Sequence, residues 1–114
     1  MNMFGLKEKD IESLQHIFWK YENIEKVVLY GSRAKGNYRP CSDIELTVFG
    51  ELDLSCLYKI EVEIDDLLLR YKMDIFLHHQ IINPDLLEHI NRIGFDFYSP
   101  VLKWATFPNT KKTL

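Results

Sequence analysis

The chain has 114 residues, of which 46% are hydrophobic and 27% charged, and its formal net charge at pH 7 is −3. This length suits a single domain over residues 1–114 and leaves no room for a second. No apolar run approaches the roughly 20 residues of a membrane span, and the charged N-terminus is unlike a signal peptide. The negative charge and the lack of a basic stripe argue against direct nucleic-acid binding. We therefore expect a cytoplasmic domain that stays out of the membrane, with Cys41 and Cys56 as reduced thiols.

Hydrophobic periodicity predicts the first half of the secondary structure. Apolar residues at helical spacing predict a helix over 9–21, and a run rich in Val and Leu predicts a strand over 25–30. A short helix is expected over 32–35, with its N-terminal N–H groups available to phosphates. A second apolar run then predicts a strand over 44–49.

The second half of the chain continues the alternation of predicted helices and strands. A long helix is predicted over 54–70, with an apolar stripe that comprises Leu57, Ile60, Ile64, Leu67 and Leu68. A third strand follows over 73–77. Asn83 as N-cap and Pro84 in the first turn open a last helix, which Gly94 closes. The order of helices and strands predicts a small α/β or α+β fold.

The C-terminal region leaves two interpretations open. Residues 100–114 show no hydrophobic period, so this segment is either disordered or docked on a partner. Several aromatic residues near the C-terminus belong either to the core or to a partner surface; they are Phe95, Phe97, Tyr98 and Trp104. His78 and His79, after the third strand, are expected to be exposed at its end.

The residues that carry chemistry lie around one glycine turn. Gly31 and Ser32 close the first strand, and a short basic loop follows. Asp43 and Glu45 then stand one residue apart, and because alternate residues of a strand share a face, their side chains should project side by side. Asp74, on a neighbouring strand, would complete a cup for one or two metal ions. A phosphate-binding turn beside strand carboxylates indicates metal-assisted phosphoryl or nucleotidyl transfer.

Charge and ligand chemistry favour Mg²⁺ and a nucleoside triphosphate. Mg²⁺ takes one or two carboxylates and completes its coordination with water and phosphate. Three carboxylates and a triphosphate carry about −7 together, and two Mg²⁺ return about +4, which leaves about −3. Arg33, Lys35 and Arg39 in the adjacent loop could neutralise this remainder. The turn is not a P-loop, because Asn37 and Tyr38 stand where Lys and Ser or Thr are required.

These residues resemble the signature of the DNA polymerase beta-like nucleotidyltransferase superfamily. The run Gly31-Ser32-Arg33-Ala34-Lys35-Gly36, followed by Ser42-Asp43-Ile44-Glu45-Leu46, is similar to that of its minimal nucleotidyltransferase (MNT) branch. The resemblance covers residues 24–77. Many members have Asp where this chain has Glu45. The resemblance implies a nucleotidyltransferase fold, a mixed sheet backed by helices with the site on an open sheet face. It also implies ATP as donor and a HEPN-domain partner in a toxin–antitoxin pair.

The leading hypothesis is therefore catalytic. Two Mg²⁺ would be held by Asp43, Glu45 and Asp74, and Asp74 would also accept the proton of the attacking hydroxyl. The triphosphate is expected to contact the turn and loop, through Gly31, Ser32, Arg33, Lys35 and Ser42. Because the chain shows no acceptor-binding domain, the acceptor is expected on another protein within a hetero-oligomer. The resemblance implies that this protein is a HEPN-domain toxin whose tyrosine is adenylylated. Two alternatives are a non-catalytic nucleotide-binding antitoxin that acts by contact, and a stand-alone transferase for small-molecule hydroxyls.

Overall fold

The computed structural model describes residues 2–100, so the predictions for Trp104 and for segment 101–114 lie outside the described residues. A short hairpin precedes a main sheet that is interleaved with helices. In chain order the elements are β1 (Asn2–Met3), β2 (Leu6–Lys7), α1 (Glu8–Trp19), β3 (Ile24–Tyr30), α2 (Ser32–Lys35), β4 (Ile44–Gly50), α3 (Leu54–Asp65), β5 (Met73–Leu77), α4 (Pro84–Ile93) and β6 (Phe95–Tyr98), with a 3₁₀ turn at His78–Gln80.

The main sheet is mixed and has the strand order β5-β4-β3-β6. β3 pairs antiparallel with both β4 and β6, whereas β4 and β5 are parallel. A parallel pair needs a long crossover connection, and α3 supplies it. The structure thus confirms the predicted fold class, a small mixed sheet with helices packed against it.

One face of the sheet carries the main hydrophobic core. Strand register places Leu29 opposite Leu46 and Leu46 opposite Ile75, so these three side chains share this face. They pack with α1 and α3 through buried apolar residues that include Leu14, Ile17, Phe18, Leu57, Ile60 and Ile64. Burying one Leu or Ile side chain contributes about 1.5–3 kcal/mol. This layer therefore fixes the position of the strands on which the other face is built.

The opposite face is partly covered by α4. Ile90 packs against Val28 and Tyr30 in a second apolar cluster, flanked by Phe49, Ile81 and Leu86. Asn83 caps α4 by accepting hydrogen bonds from the N–H groups of Asp85 and Leu86, as the sequence predicts for this helix start. Because α4 lies over the end of β3, it forms one wall beside the glycine turn.

The structure differs from the sequence predictions in the hairpin, in β6 and in the length of α3. The helix α3 ends at Asp65 and not near residue 70; its last turn contains no basic residue to complement the helix dipole. Leu68 then adopts φ 55 and is 86% exposed, so its prediction as a buried stripe residue was wrong. Phe97 and Tyr98 of β6 are buried in the core.

Of the two histidines after β5, His79 is exposed as predicted, whereas His78 is half-buried. The ring of His78 stacks on Phe49 with a centroid distance of 3.9 Å, and Nε2 of His79 lies 3.0 Å from the carbonyl oxygen of Leu52. These contacts connect the 3₁₀ turn to the end of β4 and to the segment that follows it. Across residues 2–100, none of the helices combines the length and the apolarity that a membrane crossing requires.

Candidate active site

Three carboxylates lie at one end of the sheet, on the face that α4 partly covers. Glu45 in β4 stands directly opposite Asp74 in β5, and neighbouring strands are about 4.8 Å apart. Asp43 immediately precedes β4, two residues before Glu45. All three residues are half-buried and retain access to solvent. Strand register therefore brings Glu45 and Asp74 together, and Asp43 adjoins them through the chain.

The mutual repulsion of these carboxylates is visible at Glu45. Burial raises the pKa of the Glu45 carboxyl above its usual value, and the negative charges of Asp74 and Asp43 raise it further. All three causes act in the same direction. The folded protein thus holds a concentration of negative charge at this position, which a bound cation would relieve.

Replacing Glu45 by glutamine is expected to stabilise the protein at pH 7 by a few degrees in Tm. A raised folded-state pKa means that the folded chain binds a proton more tightly than the unfolded chain, so stability falls as pH rises from about 4.5 through the folded pKa. The gain in Tm from Glu45→Gln should therefore shrink as the pH falls through this range, because the Glu45 carboxyl then becomes protonated. Thermal unfolding across pH measures it, with exposed Glu51→Gln as the matched control; a lower Tm for Glu45→Gln at pH 7 would contradict it.

Tyr30 extends the same row of side chains, and the sequence analysis did not identify it. It pairs with Glu45 across β3 and β4 and is 3% exposed. Burial raises the pKa of its phenol to about 12, with further contributions from Glu45 and Asp74. Tyr30 consequently remains protonated at neutral pH, and its phenol cannot act as a base beside the carboxylates. The only signal in the sequence is its place directly before Gly31.

Gly31 occupies a backbone conformation that only glycine adopts readily, with φ 80 and ψ −158. A Cβ at this position would lie 2.1 Å from Oε2 of Glu45, so the Glu45 carboxylate lies across the turn. The carbonyl of Gly31 accepts a hydrogen bond from the N–H of Lys35 at 3.0 Å, which begins α2. The N–H of Gly31 donates to Nε2 of His89 in α4 at 3.1 Å. The turn is thus in contact with Glu45 in β4, with the N–H of Lys35 in α2 and with His89 in α4.

Arg33 is buried and supports the loop that leads to Asp43. Its side chain is 1% exposed, and its guanidinium lies over the rings of Tyr38 and Tyr71, at 5.3 and 4.9 Å from their centroids. It donates hydrogen bonds of 2.8 to 3.2 Å to the backbone carbonyls of Phe4, Pro40 and Ser42. These contacts direct the guanidinium into the protein, away from the open surface of the turn.

Replacing Arg33 by lysine is expected to lower the free energy of unfolding by about 2–3 kcal/mol, because an ammonium cannot reach all three carbonyls and would leave buried acceptors unpaired. The same charge-preserving change made at exposed Lys35, as Lys35→Arg, should alter stability by less than about 0.5 kcal/mol. Urea unfolding of both variants measures the difference. Equal stabilities would show that the Arg33 bonds contribute little to the fold.

The other predicted phosphate-binding residues lie on the accessible side of the loop. Ser32 begins α2 and is half-buried, whereas Lys35 and Arg39 are exposed. The hydroxyl oxygen of Ser42 accepts a hydrogen bond from the N–H of Arg39 at 2.8 Å and closes the turn before Asp43. The structure therefore separates two basic side chains that face solvent, Lys35 and Arg39, from one that is internal, Arg33.

The donor chemistry of the carboxylates suits Mg²⁺. Within residues 2–100, no group of three or more His, Cys, Asp or Glu side chains is arranged so that it could hold a metal ion. Mg²⁺ does not require one, since it usually takes one or two carboxylates with water and phosphate as its remaining ligands. Glu45 and Asp74, paired in register across β4 and β5 with an unbalanced negative charge, could supply such carboxylates.

His89 is the second residue that sequence analysis missed. It lies 58 positions from Gly31 in the chain, on a helix whose pattern shows only amphipathic packing. No local spacing connects the two residues. Only the packing of α4 on the sheet, which brings Ile90 onto Val28 and Tyr30, places the imidazole at the turn.

Comparison with known proteins identifies the fold and the family. The family model for polymerase beta nucleotidyltransferases matches residues 12–99. Comparison with curated protein sequences gives no significant match. Three solved structures illustrate the likeness of fold, and each is less than 25% identical to the chain.

The first is a toxin–antitoxin crystal structure with AMP-PNP (TM-score 0.63, 18% identity, 90% of this chain and 81% of that chain covered). The second is the toxin–antitoxin MntA-HepT (TM-score 0.60, 12% identity, 89% and 80% covered). The third contains a tri-AMPylated Shewanella oneidensis HEPN toxin in complex with an MNT antitoxin (TM-score 0.60, 12% identity, 89% and 83% covered).

The match of the family model includes the glycine turn at Gly31 and the carboxylates Asp43, Glu45 and Asp74. It also spans the main sheet from β3 to β6 and the helices α3 and α4. The sequence resemblance and the observed mixed sheet therefore agree, and the chain belongs to the polymerase beta nucleotidyltransferase family.

Proposed function

We propose that the protein is a metal-dependent nucleotidyltransferase that transfers AMP from ATP to a hydroxyl of a HEPN-domain partner, and so acts as the antitoxin of a toxin–antitoxin pair. The observation that carries this proposal is the arrangement of Glu45. Its carboxylate lies across Gly31 on one side and stands opposite Asp74 on the other. A triphosphate seated on the turn would therefore meet the carboxylates directly.

Asp43, Glu45 and Asp74 are the residues that would hold Mg²⁺, with two ions implied by the family resemblance. Bound Mg²⁺ neutralises phosphate charge and orients the phosphates for in-line displacement. Asp74 is the proposed base: it takes the proton of the acceptor hydroxyl, whose oxygen attacks the α-phosphorus as pyrophosphate leaves. Tyr30 cannot serve as base at neutral pH, because its phenol pKa is raised to about 12.

The chain's own residues also suggest where the phosphates lie. Gly31 lacks a Cβ, so the backbone can approach a ligand closely. Ser32 follows at the first position of α2, and the exposed side chains of Lys35 and Arg39 lie further along the same loop. We propose that Ser32 and these two cations contact the triphosphate, and that Arg33 and Ser42 contribute by holding the loop.

The HEPN-domain partner is supported by the structural relatives. One of them is a complex of an MNT antitoxin with a tri-AMPylated HEPN toxin, and another was solved with AMP-PNP. We propose that the acceptor hydroxyl belongs to another protein, as the AMPylated toxin of that complex suggests. The partner and the adenylyl group are thus proposed from these relatives.

The test is transfer to the partner. The purified chain is incubated with a HEPN-domain protein, with Mg²⁺ and ATP, and the intact mass of that protein is measured; parallel reactions contain GTP, CTP or UTP. We expect mass increments of whole AMP residues with ATP only, and none when EDTA replaces Mg²⁺. A partner that is inhibited yet unmodified would contradict transfer and favour an antitoxin that acts by contact.

A further inference from the structure

His89 connects α4 to the glycine turn through one hydrogen bond. Its Nε2 accepts the N–H of Gly31 at 3.1 Å, and its ring lies edge-on to that of Tyr30, with a centroid distance of 6.2 Å. The residue is half-buried, and neighbouring Ile90 is 4% exposed against the sheet. The imidazole is therefore placed by a packed helix and not by a mobile loop.

The direction of this bond determines the chemical form of the ring. A backbone N–H can only donate, so Nε2 of His89 must be unprotonated where it accepts from Gly31. The single ring proton is then on Nδ1, because the hydrogen bond of one nitrogen sets the tautomer of the other. The structure thus assigns the neutral Nδ1–H tautomer to His89.

The same hydrogen bond determines whether the N–H of Gly31 is available to a ligand. The antiparallel pairing of β3 with β4 ends at Tyr30 and Glu45, so the N–H of Gly31 lies beyond the last paired residues of the sheet. His89 accepts a hydrogen bond from this N–H and so fixes the peptide plane between Tyr30 and Gly31. The N–H of Gly31 is thus already used by α4, whereas the next amide, that of Ser32, belongs to the first residue of α2.

We propose that His89 is a positioning residue for the nucleotide site: through its unprotonated Nε2 it orients the Gly31 peptide, so that Ser32 presents the first N–H donor to the triphosphate and the Glu45 carboxylate keeps its place across the turn. This inference rests on the proposed function, because it concerns the same triphosphate site. It assigns His89 no direct contact with the nucleotide.

Ring spectroscopy tests the bond itself, independently of any activity. With ¹⁵N-labelled protein, long-range ¹H–¹⁵N spectra distinguish a protonated ring nitrogen from an unprotonated one. We expect His89 in the Nδ1–H form at pH 8, where an ordinary histidine is neutral. A His89 ring protonated on Nε2 would overturn the inference, since that nitrogen could not accept from Gly31.

Three substitutions of His89 distinguish the contribution of its hydrogen-bond acceptor from the contribution of its ring size. His89→Gln can place an amide oxygen near the position of Nε2, His89→Asn is too short to reach Gly31, and His89→Phe keeps a ring without an acceptor. Affinity for AMP-PNP with Mg²⁺ is measured by calorimetry, and Tm is measured alongside. Losing one hydrogen bond should weaken binding about 3- to 10-fold in His89→Phe and His89→Asn, whereas His89→Gln should bind like wild type.

The outcomes distinguish this inference from the function on which it rests. If the wild-type protein does not bind AMP-PNP with Mg²⁺, the proposed function fails and the role of His89 falls with it. If the wild type binds and all three variants bind equally well, only the inference about His89 is overturned. Affinity losses that follow the fall in Tm, with no rescue by His89→Gln, would show that the residue acts through packing alone.

Discussion

Asp74→Asn should lower the rate of nucleotide transfer to the HEPN-domain partner by about 100-fold or more. Asparagine preserves the size of the side chain but removes the negative charge opposite Glu45 and the basicity that would accept the hydroxyl proton. The complex with the partner should survive, because the change alters the carboxylate pair and not the shape of the protein surface. Intact mass of the partner reports transfer, and size-exclusion chromatography reports the complex.

The matched control is Asp65→Asn, which removes the same charge from an exposed residue at the end of α3. That helix packs on the opposite face of the sheet, so transfer should be unchanged. Asp43→Asn should weaken Mg²⁺-dependent binding of AMP-PNP, measured by calorimetry, since it removes a carboxylate oxygen ligand. Transfer by Asp74→Asn at the wild-type rate would remove Asp74 from the proposed mechanism.

Gly31→Ala is expected to weaken the binding of AMP-PNP with Mg²⁺ by about tenfold or more. The new Cβ would lie 2.1 Å from Oε2 of Glu45, so the carboxylate must leave its place across the turn. The positive φ of Gly31 adds a backbone cost of about 1–3 kcal/mol to the free energy of unfolding. Calorimetry of binding and thermal unfolding are both needed, because the substitution acts on affinity and on stability.

Gly36→Ala provides the comparison that separates these two effects. Gly36 also has a positive φ, 92 against 80 for Gly31, but nothing lies within 4 Å of the place where its Cβ would stand. Gly36 is left-handed with ψ 1, whereas ψ of Gly31 is −158, so Gly31→Ala should lose more stability than Gly36→Ala, and only Gly31→Ala should lose affinity. Similar affinities in the two variants would mean that Gly31 is required for the shape of the backbone and not for the site.

Local patterns in the sequence predicted most of the fold. The strand over 73–77 and the short helix over 32–35 were confirmed with the same bounds, and the last helix begins and ends at its predicted caps. These elements have a signal within a few residues: an apolar run, a cap, or a proline in the first turn. The strands β1 and β2 escaped prediction because each has two residues, too few for a period.

The candidate site was only partly predictable, because several of its contacts join residues that lie far apart in the sequence. Asp43 and Glu45 share a face through their spacing, but the pairing of Glu45 with Asp74 depends on strand register over 29 positions of sequence. The contact of His89 with Gly31 depends on helix packing over 58 positions. Arg33 is the reverse case: its motif suggests a phosphate contact, whereas its burial among three carbonyls, a tertiary effect, directs it inward.

The internal position of Arg33 connects two parts of the chain that lie far apart in the sequence. Its guanidinium bonds both to Phe4 in the N-terminal hairpin and to the carbonyl of Ser42, next to Asp43. Releasing either partner would leave a buried cation with unsatisfied donors, which is unfavourable. In native-state hydrogen exchange the hairpin and segment 39–43 should then open together as one cooperative unit. Whatever displaces the hairpin would loosen the segment that carries Asp43, so the N-terminus is mechanically coupled to the carboxylate end of the sheet.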